Sequence, residues 1–147
     1  MIKRILLAVD DSEGALAASR VAIDLADTCQ AVLRVVSVVV NGVVAGALAD
    51  GAPLEPVRQR QLVASSSVLR YVAEAARRRG LTVEARQLEG RAAQRVLHEA
   101  QEWSADVIVV GRSAVRAAGL PYVGSVTAHV LEFAEQPVLV VPPPARR

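Results

Sequence analysis

Residues 5–12 read Ile5-Leu6-Leu7-Ala8-Val9-Asp10-Asp11-Ser12. Five apolar residues without a break make a strand buried on both faces, and the three polar residues after them are helix-capping types. Ala15, Ala18, Ala22, Leu25 and Ala26 then recur at helical spacing as far as Thr28. A strand that is apolar on both faces and runs into a helix belongs to a parallel sheet covered by helices on each side.

The same alternation continues along the chain. Residues 32–39, 107–110 and 138–141 are further apolar, β-branched strands. Residues 82–88 form a more polar one, suited to an edge. Between them, Leu62, Ser65, Leu69, Val72 and Ala76 line one face of a helix that ends at Gly80. Ala93, Val96, Leu97 and Ala100 line a shorter helix, and Val126, Val130 and Phe133 line the last. Residues 41–56 are a long βα connection punctuated by Gly, Ala and Pro, and Pro142-Pro143-Pro144 ends the final strand. No internal repeat is present. The expected architecture is one α/β domain over residues 1–147, a doubly wound five-stranded parallel sheet in the order 3-2-1-4-5 with four helices, Rossmann-like. Ligands bind such sheets beyond the carboxyl ends of the strands, which places Asp10-Asp11-Ser12, Val38-Val39 and the chain from Gly111 onward at the site.

Composition supports one well-filled core and narrows the partners. The chain has 147 residues, 52% of them hydrophobic, and a domain of that size buries roughly two-thirds of its extended surface. With one Trp, two Tyr and one Phe, the core must be aliphatic. The single Cys29 excludes an intrachain disulfide framework and fits a reducing, cytoplasmic compartment. Seventeen basic against fifteen acidic residues give a net charge of +2. The one basic run, Arg77-Arg78-Arg79, reads as a helix C-terminus opposing its dipole. Clustered charge with stacking aromatics is missing, so nucleic acid is not an expected partner. The longest uncharged stretch, residues 35–49, is too short to span a bilayer and contains Asn41, Gly42 and Gly46.

The segment with most chemistry runs from Gly111 to Thr127. It follows a buried strand and opens a helix whose first amides, with the Ser125 and Thr127 hydroxyls, would suit an anion. A glycine turn with a serine cap is the competing structural explanation. Arg112 and Arg116 add positive charge suited to phosphate, and Gly119 and Pro121 give the loop a flexible point and a stiff one. Gly119 and Gly124 have the spacing of a Walker loop, but Ser125 stands where the lysine must be. No G-x-G-x-x-G follows the first strand. Gly111-Arg112-Ser113-Ala114-Val115 lacks the second glycine of a nucleophile elbow. His98 and His129 fall within helices, with Cys29 in the first helix, and make no zinc pattern. Trp103 reads as a core plug at a helix end. No catalytic constellation is assembled, so at most slow hydrolysis is expected.

The whole chain resembles a single-domain universal stress protein. Lys3-Arg4-Ile5-Leu6-Leu7-Ala8-Val9-Asp10-Asp11-Ser12 is similar to that family's first strand and turn. Ala105-Asp106-Val107-Ile108-Val109-Val110-Gly111 is similar to its fourth strand and Gln136-Pro137-Val138-Leu139-Val140-Val141 to its last, while Leu88-Glu89-Gly90 resembles the turn into its third helix. The nucleotide-binding branch carries Gly, two residues, Gly, nine residues, then Gly-Ser or Gly-Thr. Here the spacing is kept from Gly111 to Gly124-Ser125, with Ala114 in place of the second glycine. The resemblance implies an ATP site, with Mg²⁺ as a possible companion. Asp10 would meet the ribose, though it reads equally as a helix cap, and the backbone near Val38 the adenine. Gly111, Arg112, Ala114, Gly124, Ser125, Val126 and Thr127 would lie about the phosphates. Ser37 stands where many members have histidine. The resemblance further implies a homodimer paired through residues 137–141 and a regulatory role in stress. The alternative is a member that binds no nucleotide and acts as a dimeric interaction module.

Overall fold

The computed structural model describes residues 1–10, 13–40, 54–112 and 124–144. In chain order the elements are β1 (Arg4–Ala8), α1 (Glu13–Cys29), β2 (Val32–Val40), α2 (Leu54–Arg78), β3 (Val83–Gly90), α3 (Ala92–Glu102), β4 (Val107–Gly111), α4 (Ser125–Phe133) and β5 (Val138–Val141). The five strands form one parallel sheet in the order β3-β2-β1-β4-β5. This is the doubly wound arrangement expected from the alternation of apolar strands and helices.

Strand periodicity divides the core into two layers. In β1, β2 and β4 the odd-numbered residues Ile5, Leu7, Leu33, Val35, Val107 and Val109 pack with α1 and α2. The even-numbered residues Leu6, Val36, Ile108 and Val110 face α3 and α4, where Val96, Ala100 and Val130 meet them. Each fully buried Leu, Ile or Val side chain contributes about 1.5–3 kcal/mol. Polar ties hold the amino-terminal end of the sheet. Asp106 Oδ2 accepts the backbone N–H groups of Lys3 (2.8 Å) and Arg4 (2.9 Å), and these two bonds hold its carboxyl below the usual carboxylate range.

Several expectations are corrected. Helix α2 begins at Leu54 rather than after Pro56. Pro56 lies in its first turn, where the missing N–H would have no intrahelical acceptor anyway. The rest of the long connection, residues 41–53, lies outside the described residues. Strand β3 continues to Gly90, two residues past Leu88, because its register with β2 runs on to the Val40–Gly90 pair. The face assigned to the last helix holds at Val130 alone: Val126 (41% exposed) and Phe133 (58%) point outward, and Thr127 is buried beside Val130. The Phe133 ring instead packs on His129, with centroids 4.8 Å apart.

Strand β2 is not wholly apolar inside. Arg34, on its even-numbered face, is buried and donates through Nε to Glu84 Oε2 (2.7 Å) and through Nη1 to Glu99 Oε1 (3.0 Å). Its guanidinium stacks over Trp103 at 4.4 Å from the ring centroid. Trp103 therefore closes the layer as expected, and also serves as the platform for a buried cation. The run at the end of α2 meets the expected Gly80, which has φ +78°. Arg79 holds Asp24 and Asp27 of α1 at 3.0 and 2.8 Å.

Candidate functional site

At the carboxyl end of the sheet β1 and β4 part to opposite sides, β1 continuing into α1 and β4 towards α4. A pocket of about 280 Å³ opens there. Ala8, Val36, Val38 and Val110 form its apolar floor, and Ala92 and Val96 of α3 form one wall. Asp10, Gly111, Arg112, Val126 and Thr127 supply its polar or exposed side. Six residues singled out from the sequence thus meet at one place: Asp10, Val38, Gly111, Arg112, Val126 and Thr127. Gly124 and Ser125 form the turn that starts α4. Ala114, like Asp11, Ser12, Ser113, Arg116, Gly119 and Pro121, lies outside the described residues.

The start of α4 presents backbone donors that have no intrahelical acceptor. Gly124 caps it with φ 96° and ψ 145°, a conformation that favours glycine, and no side chain caps the helix. Ala128 N–H donates to Gly124 O at 2.9 Å, the first intrahelical bond. The amides of Ser125, Val126 and Thr127 come before it and have no intrahelical acceptor. No acidic residue stands in the first turn to neutralise the helix dipole. Helix α3, whose Ala92 lines the same pocket, likewise begins without a side-chain cap or a first-turn acid.

Two residues do something other than the sequence suggested. Thr127 Oγ1 donates to Gly111 O at 3.0 Å, so its proton is engaged by backbone instead of being directed at an anion. Gly111 lies in the odd-numbered series of β4, which faces α1. A Cβ built there would stand 2.5 Å from Gly14 O. Gly14 was not singled out from the sequence. The contact is made by its backbone carbonyl, which any residue would carry, so the sequence held no signal for it. Ala8, Val36, Ala92 and Val96 were also missed as site residues, because apolar periodicity assigns them only to the core.

Among the described residues no group of three or more His, Cys, Asp or Glu side chains could hold a metal ion. His98 and His129 are exposed and Cys29 is partly buried. A second hollow of about 300 Å³ lies between α3 and the turn before β5, lined by Leu97, His98, Phe133 and Glu135 among others. It is at the opposite end of the sheet from the uncapped helix starts.

A pocket beyond the carboxyl ends of a doubly wound parallel sheet, with a glycine-led helix start beside it, is the ground plan of the α/β phosphate-ligand binders. The model for the universal stress protein family matches residues 1–142, and the chain belongs to that family. Similar solved structures include a universal stress family protein from Burkholderia pseudomallei (26% identity, TM-score 0.77, covering 97% of this chain and 97% of that one). Another is a universal stress protein from Archaeoglobus fulgidus in complex with dAMP (23%, 0.71, 96% and 99%). A third is a universal stress protein in complex with cAMP (22%, 0.67, 97% and 98%). None of the curated proteins matches this chain in sequence.

Proposed function

We infer that this protein is a nucleotide-binding regulatory member of its family, acting in the stress response as a cytoplasmic homodimer and taking ATP with little or no hydrolysis. The observation that carries this reading is the convergence of the uncapped α4 start, Arg112 and Asp10 on one apolar-floored pocket. The base would lie on the floor by Val38 and the ribose beside Asp10. The phosphates would lie at the amides of Ser125 and Val126, where helix dipole and free donors act together. Mg²⁺, if it accompanies ATP, would be carried by the phosphates, since Asp10 is the one acidic side chain lining the pocket among the described residues. Family members in complex with dAMP and cAMP support a nucleotide ligand.

Pairing would run through residues 137–141. Strand β5 leaves an edge with Leu139 38% exposed, and Leu131 and Phe133 of α4, on the other face of the sheet, are 46% and 58% exposed. The described helices include none long and apolar enough to cross a membrane. The second reading, an interaction module without nucleotide, is favoured by one feature: Ala114 replaces the second glycine of the motif. Calorimetric titration with ATP, with and without Mg²⁺, tests the choice. One site per chain is expected; no heat, with no nucleotide carried through purification, sinks the first reading and leaves the second.

A further inference from the structure

We propose that Thr127 is a positioning residue of this site, and that it acts through the carbonyl of Gly111. The proposal rests on the nucleotide reading.

Both sides of Gly111 are occupied by the protein itself. On the α1 side, an added Cβ would stand 2.5 Å from Gly14 O, 2.6 Å from Gly14 C and 3.1 Å from Ala15 N. Two backbones therefore touch at that point, and the first glycine of the motif is required by packing whether or not a ligand is present. On the α4 side, its carbonyl oxygen accepts the Thr127 hydroxyl at 3.0 Å. The next amide is engaged as well, since Arg112 N–H donates to Val141 O at 2.8 Å. Among the described residues, Arg112 is therefore left to meet a phosphate through its side chain, while α4 offers backbone donors.

Helix α4 is lightly held. It has nine residues, of which two, Thr127 and Val130, are buried. Val130 is an apolar contact that tolerates sliding. The Thr127 hydroxyl is directional and fixes how the first turn stands against β4. The amides of Ser125 and Val126 take their aim from that bond. Breaking it should therefore be felt by a ligand with a phosphate and not by one without.

The test is titration of the full chain with adenosine 5′-monophosphate and, separately, with adenosine. Thr127→Val keeps the shape and removes the donor; Thr127→Ser keeps the donor; Thr127→Ala removes it with less bulk, in case Val disturbs folding. Circular dichroism checks that each variant is folded. The expected result is monophosphate affinity weakened between about threefold and tenfold by Val and Ala, the range of one neutral hydrogen bond. Adenosine affinity should stay unchanged, and Ser should restore the monophosphate. Equal weakening of both ligands, or no weakening of either, overturns the proposal. Failure of the unaltered protein to bind either ligand overturns the nucleotide reading itself, and this assignment with it.

Discussion

Gly111 and Gly80 illustrate two different reasons for a glycine. At Gly80 the chain needs φ +78° and nothing lies within 4 Å of an added Cβ. Gly80→Ala should therefore lower stability by only about 1 kcal/mol, the left-handed penalty. At Gly111 the obstacle is the Gly14 carbonyl, a backbone atom that cannot rotate away. Gly111→Ala should cost about 1–3 kcal/mol or more, as overpacking does. Urea denaturation of the two variants should rank them in that order; equal losses would mean that α1 yields freely. The glycines at 111 and 124 were legible in the sequence because their spacing is the signal. The engagement of Thr127 was not. Its partner lies 16 residues away, and the bond exists only because α4 starts against the end of β4. Nor was the contact with Gly14, which is made by a backbone carbonyl that any residue would carry.

Among the elements, β2 carries the least expected feature. Sequence periodicity gave its apolar faces and the parallel sheet, since runs of Val and Ile need no knowledge of their neighbours. It could not give Arg34 an interior place, because that depends on Glu84 of β3, Glu99 of α3 and the Trp103 ring all reaching one point. Glu99 is itself 5% exposed and also accepts from Arg86 Nη1 at 3.3 Å. Glu99→Ala should be strongly destabilising, by about 3–5 kcal/mol, because it leaves Arg34 buried with one carboxylate in place of two. The double variant Arg34→Met, Glu99→Leu should recover much of that loss, since Glu84 and Arg86 are half exposed and can turn to water. Thermal or urea unfolding of the single and double variants decides it: a double variant as unstable as Glu99→Ala would mean that the clamp itself carries the stability. The burial of the last helix was misread for a related reason. Val126, Ala128, Val130, Leu131 and Phe133 are spread over more than half of its circumference, so periodicity could not choose a face, and tertiary packing chose Thr127 and Val130.

For the whole molecule, the two sheet edges are unlike. The outer edge at β3 presents Glu84, Arg86, Gln87 and Glu89, all exposed, with Glu89 held by Arg58 at 2.6 Å. The edge at β5 presents Val138, Leu139 and Val140, with Leu139 more than a third exposed. Leu139→Arg should shift the proposed dimer to a monomer in sedimentation or light scattering at tens of micromolar, without unfolding it; a dimer that persists would place the interface elsewhere. Self-association through bare strands is a polymerisation problem, and its outcome depends on how many reactive ends each unit carries. A subunit with two adhesive edges is bifunctional and grows into a ribbon without limit. If this chain pairs through β5, with a charged rim at β3, it would be monofunctional: its own chain terminator, with growth by edge pairing ending at two.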